Sequence, residues 1–117
     1  MSLTADLTVA TRPNAVAFTL TVRNDGDEPV DLTFSDGQTA DVVVREADGE
    51  DGPETVVWRW SEGRMFTQAI RTMSLAPGES LAEEFTWEQP RSGEFRAEAT
   101  LEAMDTDVRA GGRFGLN

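Results

Sequence analysis

Apolar and polar residues alternate along most of the chain. The clearest alternation runs from Phe95 to Ala103, where every second residue is apolar and the residues between are charged or hydroxyl-bearing. Because successive side chains of a β-strand point to opposite faces, this pattern predicts strands that bury one face. Similar patterns predict further strands at about residues 3–9, 18–22, 30–35, 39–47, 55–61, 81–87 and 108–116.

Turn-forming residues separate these stretches. In Ala76-Pro77-Gly78-Glu79, proline fixes φ and glycine tolerates a positive φ, as a type II turn requires. Asp36-Gly37 is typical of a hairpin turn, and the glycines of the last strand would allow a β-bulge. The segment Met65–Leu75 has apolar spacings that fit a helical turn as well as a strand, and we expect it to be mostly extended.

Two strands carry specific expectations about their faces. In the fourth strand, Val42 and Val44 should lie on one face, and Asp41, Val43 and Arg45 should lie on the other. In the next strand, Val56, Trp58 and Trp60 lie on one face, which predicts that the tryptophans join the core.

Eight or nine short strands without a long helical pattern predict an all-β fold, an immunoglobulin-like antiparallel β-sandwich. A length of 117 residues fits one domain spanning residues 1–117.

The charge balance of the chain narrows the classes of molecule that could bind it. There are 22 acidic and 10 basic residues, so the net charge is -12, and every basic residue is arginine. Such a surface repels phosphate, which argues against nucleic acid and anionic membranes as partners. An acidic chain without lysine is expected in a salt-rich cytoplasm, although a GC-rich genome also replaces lysine with arginine. The lack of cysteine and of a leader or membrane-length apolar run likewise predicts a cytoplasmic protein.

The residues offer little for catalysis. Histidine, cysteine and lysine are absent, which removes most nucleophiles and general bases, so we expect no enzyme and no cofactor. Two acidic clusters could supply oxygen ligands to calcium, but neither has the EF-hand spacing, and no metal site is predicted. Trp58-Arg59-Trp60 fits a strand with inward tryptophans better than a platform for single-stranded nucleic acid. The clusters are Asp25, Asp27 and Glu28, and Asp48, Glu50 and Asp51.

Several segments, in order, resemble the BsuPI-type intracellular proteinase inhibitors. The central one, residues 57–69, reads V-W-R-W-S-E-G-R-M-F-T-Q-A. It is preceded by F-x-L-x-V-x-N at residues 18–24, by S-D-G-Q at residues 35–38 and by D-V-V-V at residues 41–44. It is followed by the Pro77-Gly78-Glu79 corner and by Trp87. The resemblance covers about residues 15–103, while the acidity and the absence of lysine depart from it.

This resemblance implies an immunoglobulin-like sandwich that binds and inhibits intracellular subtilisin-like serine proteases, and it assigns no contact residue. Because inhibitors commonly present an exposed, rigidly supported loop, the candidate partner-binding residues are Glu62, Gly63, Arg64, Met65 and Phe66. The competing interpretation places Met65 and Phe66 in the core, where they would fix the turn. The acidic loop 48–54 is a second candidate that would suit a basic partner.

Two other functions stay open. The fold also suits a structural or accessory module that binds another protein or a polysaccharide. A carboxylate-based or calcium-assisted hydrolase is the third hypothesis.

Overall fold

The computed structural model describes residues 3–47, 55–104 and 106–116, and these residues form nine strands. The strands are β1 (Leu3–Arg12), β2 (Ala15–Asn24), β3 (Val30–Phe34), β4 (Ala40–Glu46), β5 (Val56–Arg59), β6 (Arg71–Leu75), β7 (Ser80–Glu88), β8 (Gly93–Leu101) and β9 (Val108–Leu116). All strand pairings are antiparallel. The predicted all-β sandwich is therefore confirmed. Among the described residues, no helix has the length and apolar character needed to cross a membrane.

The strands form two layers. One sheet has the order β1-β2-β7, and the other has the order β5-β4-β8-β9, with β3 and β6 forming an additional pair. Phe34, at the end of β3, makes an isolated antiparallel bridge to Ala103, just beyond β8. Since β4 also pairs with β8, strands β3 and β4 lie end to end on the same side of β8 and its extension. Strand β6 pairs with β3, and β5 pairs with β4, so β6 and β5 also lie end to end and form the edge of this sheet.

This arrangement corrects the hairpin predicted at Asp36-Gly37. The strands on either side of this dipeptide do not pair with each other, because β3 pairs with β6 and β4 pairs with β5 and β8. Residues 35–39 instead form a connecting loop, an excursion from β3 to β4, and both of these strands lie beside β8 and its extension. Asp-Gly favours a tight change of chain direction, and it serves that purpose here without reversing the strand.

Aromatic side chains from both sheets meet in the core. Phe18 of β2 lies edge-on to Phe114 of β9, with ring centroids 5.6 Å apart, and Trp87 of β7 lies edge-on to Phe95 of β8 at 5.3 Å. The alternation predicted for β8 is confirmed, since its apolar residues are buried and the residues between are less so. Such interlocking apolar faces are the main source of stability in a sandwich of this size.

Strand β4 is buried on both faces. Asp41 and Val43, which alternate with Val42 and Val44, are 6% and 9% exposed. The strand is flanked on both edges by β5 and β8, and Arg59 of β5 reaches across Asp41, with Nη1 3.5 Å from Oδ2. Neighbouring side chains thus cover the outer face of an inner strand.

The bulge allowed for the last strand is absent, since β8 and β9 pair in register from Gly93↔Leu116 to Leu101↔Val108. A Cβ atom at Gly111 would lie 2.7 Å from the carbonyl oxygen of Ala97, so close packing explains this glycine. A register shift occurs instead where β4 pairs with β5, between Val44 and Arg45. The predicted type II turn is consistent with the structure, where Gly78 has φ +83° and the N–H of Glu79 donates to the carbonyl of Ala76.

The two flanks of the sandwich differ. On one flank β1 lies against β9. On the other, the edge strands β5 and β7 are separated by tryptophans: Trp58 stacks on Trp87 at 5.9 Å, and Trp60 lies edge-on to Phe85 at 4.9 Å. Both Trp58 and Trp60 are half-buried and pack against the core, as the strand pattern predicted.

Candidate functional site

A loop of eleven residues, 60–70, leaves the edge of the sandwich between β5 and β6, and it is named the contact loop here. It begins with a tight turn in which the N–H of Glu62 donates to the carbonyl of Arg59 at 3.2 Å. The N–H of Arg64 donates to the carbonyl of Ser61 at 3.1 Å, and Gly63 has φ +80°. The five residues predicted from the sequence, 62–66, therefore occupy consecutive positions in this loop.

A buried carboxylate anchors the start of the contact loop. Oδ1 of Asp41 accepts the N–H of Ser61 at 3.0 Å and the N–H of Val42 at 2.9 Å. Its Oδ2 accepts the hydroxyl of Ser61 at 2.6 Å and lies 3.5 Å from Nη1 of Arg59. Hydrogen bonds to an ionised acceptor are stronger than neutral ones, so this carboxylate holds the first turn of the loop against β4.

An aromatic and cationic stack supports the middle of the loop. The ring of Trp60 contacts that of Phe66, with centroids 5.7 Å apart. The guanidinium of Arg64 lies 4.4 Å from the centroid of Trp60, and its Nε donates to the Trp60 carbonyl at 2.7 Å. Arg64 is solvent-exposed, yet its charged group is folded back onto its own chain.

Met65 projects from this support. Its side chain is 98% exposed, while Phe66 beside it is half-buried against Trp60. The competing interpretation, in which both residues belong to the core, is therefore wrong for Met65. A large apolar side chain that gains no contact within its own fold is available to a partner.

The second half of the loop is tied to the excursion between β3 and β4. The N–H of Gly37 donates to the carbonyl of Thr67 at 2.7 Å, and a Cβ atom at Gly37 would lie 2.6 Å from Oγ1 of Thr67. At the start of β6, Nε of Arg71 donates to the carbonyl of Asp36 at 3.0 Å, and Nη2 donates to Thr39 Oγ1 at 3.0 Å. The S-D-G-Q segment at residues 35–38 and Thr67, near the end of the central segment 57–69, are distant in sequence, but the fold places them against each other.

A shallow groove of about 390 Å³ lies along the inner side of the loop, between Trp58, Trp60, Arg64 and the outward residues of β7. Near the base of the loop, burial raises the pKa of Glu102 above its ordinary value of 4.5, and the negative charges of Asp41 and Asp36 raise it further. Arg59 opposes this shift. The base of the loop is thus a place where acidic side chains crowd together and one arginine offsets part of their repulsion.

The sequence-based metal candidates gain no support. Asp25 accepts the hydroxyl of Thr4 at 2.7 Å and pairs with Nε of Arg23 at 2.9 Å, so its oxygens are used within the protein. Across residues 3–47, 55–104 and 106–116, no group of three or more metal-ligating side chains is close enough to hold an ion. The other cluster, and with it the acidic loop 48–54, lies outside the described residues.

Sequence reasoning missed three contributors. Asp41 was assigned to a strand face without a role in the site, although an aspartate inside the apolar run 40–44 is itself a signal of a buried polar contact. Gly37 was taken for a hairpin residue, and its contact with Thr67 joins segments thirty residues apart, which no local pattern indicates. Ile70 lies in the segment 65–75, whose apolar spacings fitted a helical turn as well as a strand, and it is 74% exposed at the end of the loop.

The BsuPI family model, described as intracellular proteinase inhibitor, matches residues 3–106. No curated protein sequence matches the chain significantly.

Among solved structures, the chain is similar to the sporulation control protein Spo0M from Bacillus subtilis, with 16% identity and a TM-score of 0.62, covering 98% of this chain and 49% of that chain. It is also similar to the CARDB domain of the PF1109 protein from Pyrococcus furiosus, in complex with di-metal ions, with 18% identity, a TM-score of 0.53 and coverage of 99% and 88%. A beta-glucosidase from Kluyveromyces marxianus gives 12% identity, a TM-score of 0.55 and coverage of 99% and 14%. The chain spans about half of the Spo0M chain and a small part of the glucosidase. At such low identities these similarities show the fold alone.

Proposed function

The chain belongs to the BsuPI family of intracellular proteinase inhibitors, and on this premise we propose that it inhibits subtilisin-like serine proteases by covering the active site with the contact loop. It acts as a single non-catalytic domain in a salt-rich cytoplasm. Inhibition of this kind needs a surface that fits the active-site cleft and no covalent step.

One observation carries the proposal. Met65 is almost fully exposed in a loop whose flanks are fixed, at Ser61 by the buried Asp41 and at Thr67 by the backbone of Gly37. A loop that is already ordered loses little conformational entropy when it binds, so more of its contact energy appears as affinity. Protease inhibitors bind through interfaces whose backbone changes little on association, and the contacts at Ser61 and Thr67 favour such behaviour in this loop.

The exposed apolar residues favour a protein partner over a polysaccharide. Among the described residues, the large hydrophobic side chains that are exposed are Val56, Met65, Ile70 and Met104, and none is aromatic. A sugar-binding face would offer exposed aromatic rings, whereas Trp58 and Trp60 pack against the core. Two of the four, Met65 and Ile70, lie on the contact loop, where aliphatic side chains suit an apolar cleft in another protein.

We expect that titrating a purified subtilisin-like serine protease with the intact chain, at both low and molar salt, removes peptidase activity in proportion to the amount added. A serine-directed fluorophosphonate should fail to label the protease in the complex, because the active site is covered, and the chain should stay uncleaved. Val56→Ala, at the end of β5 away from the loop, should inhibit like the unaltered chain. Full activity at a large molar excess of the chain would contradict the proposal.

A further inference from the structure

We propose that Met65 is the side chain that enters the primary specificity pocket of the protease, and that this pocket is deep and apolar, not acidic. The inference rests on the proposed function and goes further, because it names the inserting residue and the class of protease. It follows from how the two neighbouring residues of the loop are used.

Arg64 is the obvious alternative, since arginine is the side chain that proteases with an acidic pocket recognise. Its guanidinium, however, lies 4.4 Å from the centroid of Trp60, and its Nε donates to the Trp60 carbonyl at 2.7 Å. To enter a pocket, Arg64 would have to give up both the hydrogen bond and the cation–π contact. Phe66 is likewise occupied, because its ring packs against Trp60.

Met65 differs from both of its neighbours. It is 98% exposed and carries no polar group that a pocket would have to satisfy. Methionine is unbranched and polarisable, so it adapts to apolar cavities of varied shape. Ile70, 74% exposed at the other end of the loop, is a second apolar side chain of the loop that is not buried in the fold.

The backbone on either side of Met65 is fixed. Gly63, two residues before it, has φ +80°, a conformation that favours glycine, and the Arg64 N–H closes the turn on Ser61. The Thr67 carbonyl, two residues after Met65, accepts the Gly37 N–H at 2.7 Å. The side chain is therefore presented from a short segment held at both ends, as insertion into a pocket requires.

The charge of the contact loop agrees with an apolar pocket. Although the chain has a net charge of -12, residues 60–70 carry one acidic and one basic residue, Glu62 and Arg64, and their charges cancel. An apolar pocket needs no charged group from the loop, and an acidic pocket would lack a free cation to pair with, because Arg64 is held on Trp60. The partner is accordingly a serine protease that cleaves after large apolar residues.

The test measures inhibition constants against two purified proteases, a subtilisin that prefers large apolar residues and a trypsin-type protease with an acidic pocket. Met65→Asp should weaken inhibition of the subtilisin by at least about 30-fold, the loss typical of a hot-spot residue. Met65→Leu should stay within about tenfold of the unaltered chain, since volume and polarity are nearly conserved. Met65→Arg should lose potency against the subtilisin and gain it against the trypsin-type enzyme.

Met104→Asp is the matched control, because Met104 is also exposed, at 65%, but lies outside the contact loop. It should inhibit like the unaltered chain, and thermal melts should show that every variant is folded. If the unaltered chain inhibits the subtilisin and Met65→Asp inhibits equally well, the inference is overturned while the proposed function stands. If the unaltered chain inhibits neither protease, both are overturned.

Discussion

Replacing Asn24 with alanine is expected to lower the free energy of unfolding by about 3 kcal/mol. Asn24 is fully buried at the end of β2. Its Nδ2 donates to the carbonyls of Glu28 at 2.7 Å and Leu75 at 2.9 Å, and its Oδ1 accepts the N–H of Gly26 at 2.9 Å. Alanine removes all three hydrogen bonds and takes the buried Leu75 carbonyl's side-chain donor away, which costs more than the bonds alone contribute.

The backbone of Asn24 adds to this effect. Its N–H donates to the carbonyl of Glu79, and its carbonyl accepts the N–H of Gly78, so the residue also joins β2 to the type II turn. Urea unfolding followed by tryptophan fluorescence measures the loss. Asn14→Ala, at an exposed asparagine in the turn between β1 and β2, is the control and should change stability by less than about 0.5 kcal/mol. Equal midpoints for Asn24→Ala and Asn14→Ala would show that the buried amide does not hold these segments together.

Asp41→Ala is expected to lower the free energy of unfolding by about 2 kcal/mol and to weaken inhibition further than that loss explains. The substitution leaves the N–H groups of Val42 and Ser61 without their acceptor and releases the Ser61 hydroxyl, so the contact loop loses its first anchor. Part of the cost is offset, because the repulsion between Asp41 and Glu102 also disappears. Unfolding in urea and inhibition constants below the unfolding midpoint measure the two effects.

Asp41→Asn separates anchoring from charge. It retains an oxygen acceptor for the backbone N–H groups, so we expect most of the inhibition to return while the pairing with Arg59 is lost. Asp31→Ala, at an exposed aspartate on β3, should change neither stability nor inhibition by a measurable amount. An Asp41→Ala variant that inhibits like the unaltered chain would mean that the loop needs no support from β4.

The pH dependence of these variants has a definite sign. The folded-state pKa of Glu102 is raised by burial, Asp41 and Asp36, so the folded chain binds more protons than the unfolded chain in the range just above pH 4.5. The contribution of Glu102 to stability is therefore present below that range and is lost as the pH rises through it. Asp41→Asn removes the charge of Asp41, which is one cause of the raised pKa of Glu102. In this variant the free energy of unfolding should therefore fall less as the pH rises through this range.

The alternation of residues was enough to predict eight of the nine strands of the described residues, because burial of one sheet face imposes a period of two; β6 lies in the segment 65–75, whose spacings fitted a helical turn as well. Strand β8 shows the alternation most clearly, with its buried apolar residues alternating with more exposed ones. At β4 the alternation divided the residues between two faces but did not reveal that both faces are buried, with the aspartate among them. The hairpin prediction failed at Asp36-Gly37, because local turn chemistry does not determine which strand pairs with which.

The position of the contact loop could be predicted from the sequence, but the role of each of its side chains could not. Residues 62–66 could be singled out because a glycine joins two apolar stretches, yet the sequence gives no means of deciding which side chain is held and which is free. That decision depends on the ring of Trp60, which engages Arg64 and Phe66 and leaves Met65 exposed. Contacts between residues 37 and 67, or 41 and 61, arise only when β3, β4, β5 and β6 are aligned along one another.

The most direct test of the account is amide hydrogen exchange on the free chain and on its equimolar complex with a subtilisin-like serine protease. The contact loop is expected to gain most of the protection on binding, while the opposite flank, where β1 lies against β9, exchanges as it does in the free chain. Protection confined to the β1 and β9 flank, with the contact loop unchanged, would contradict the account.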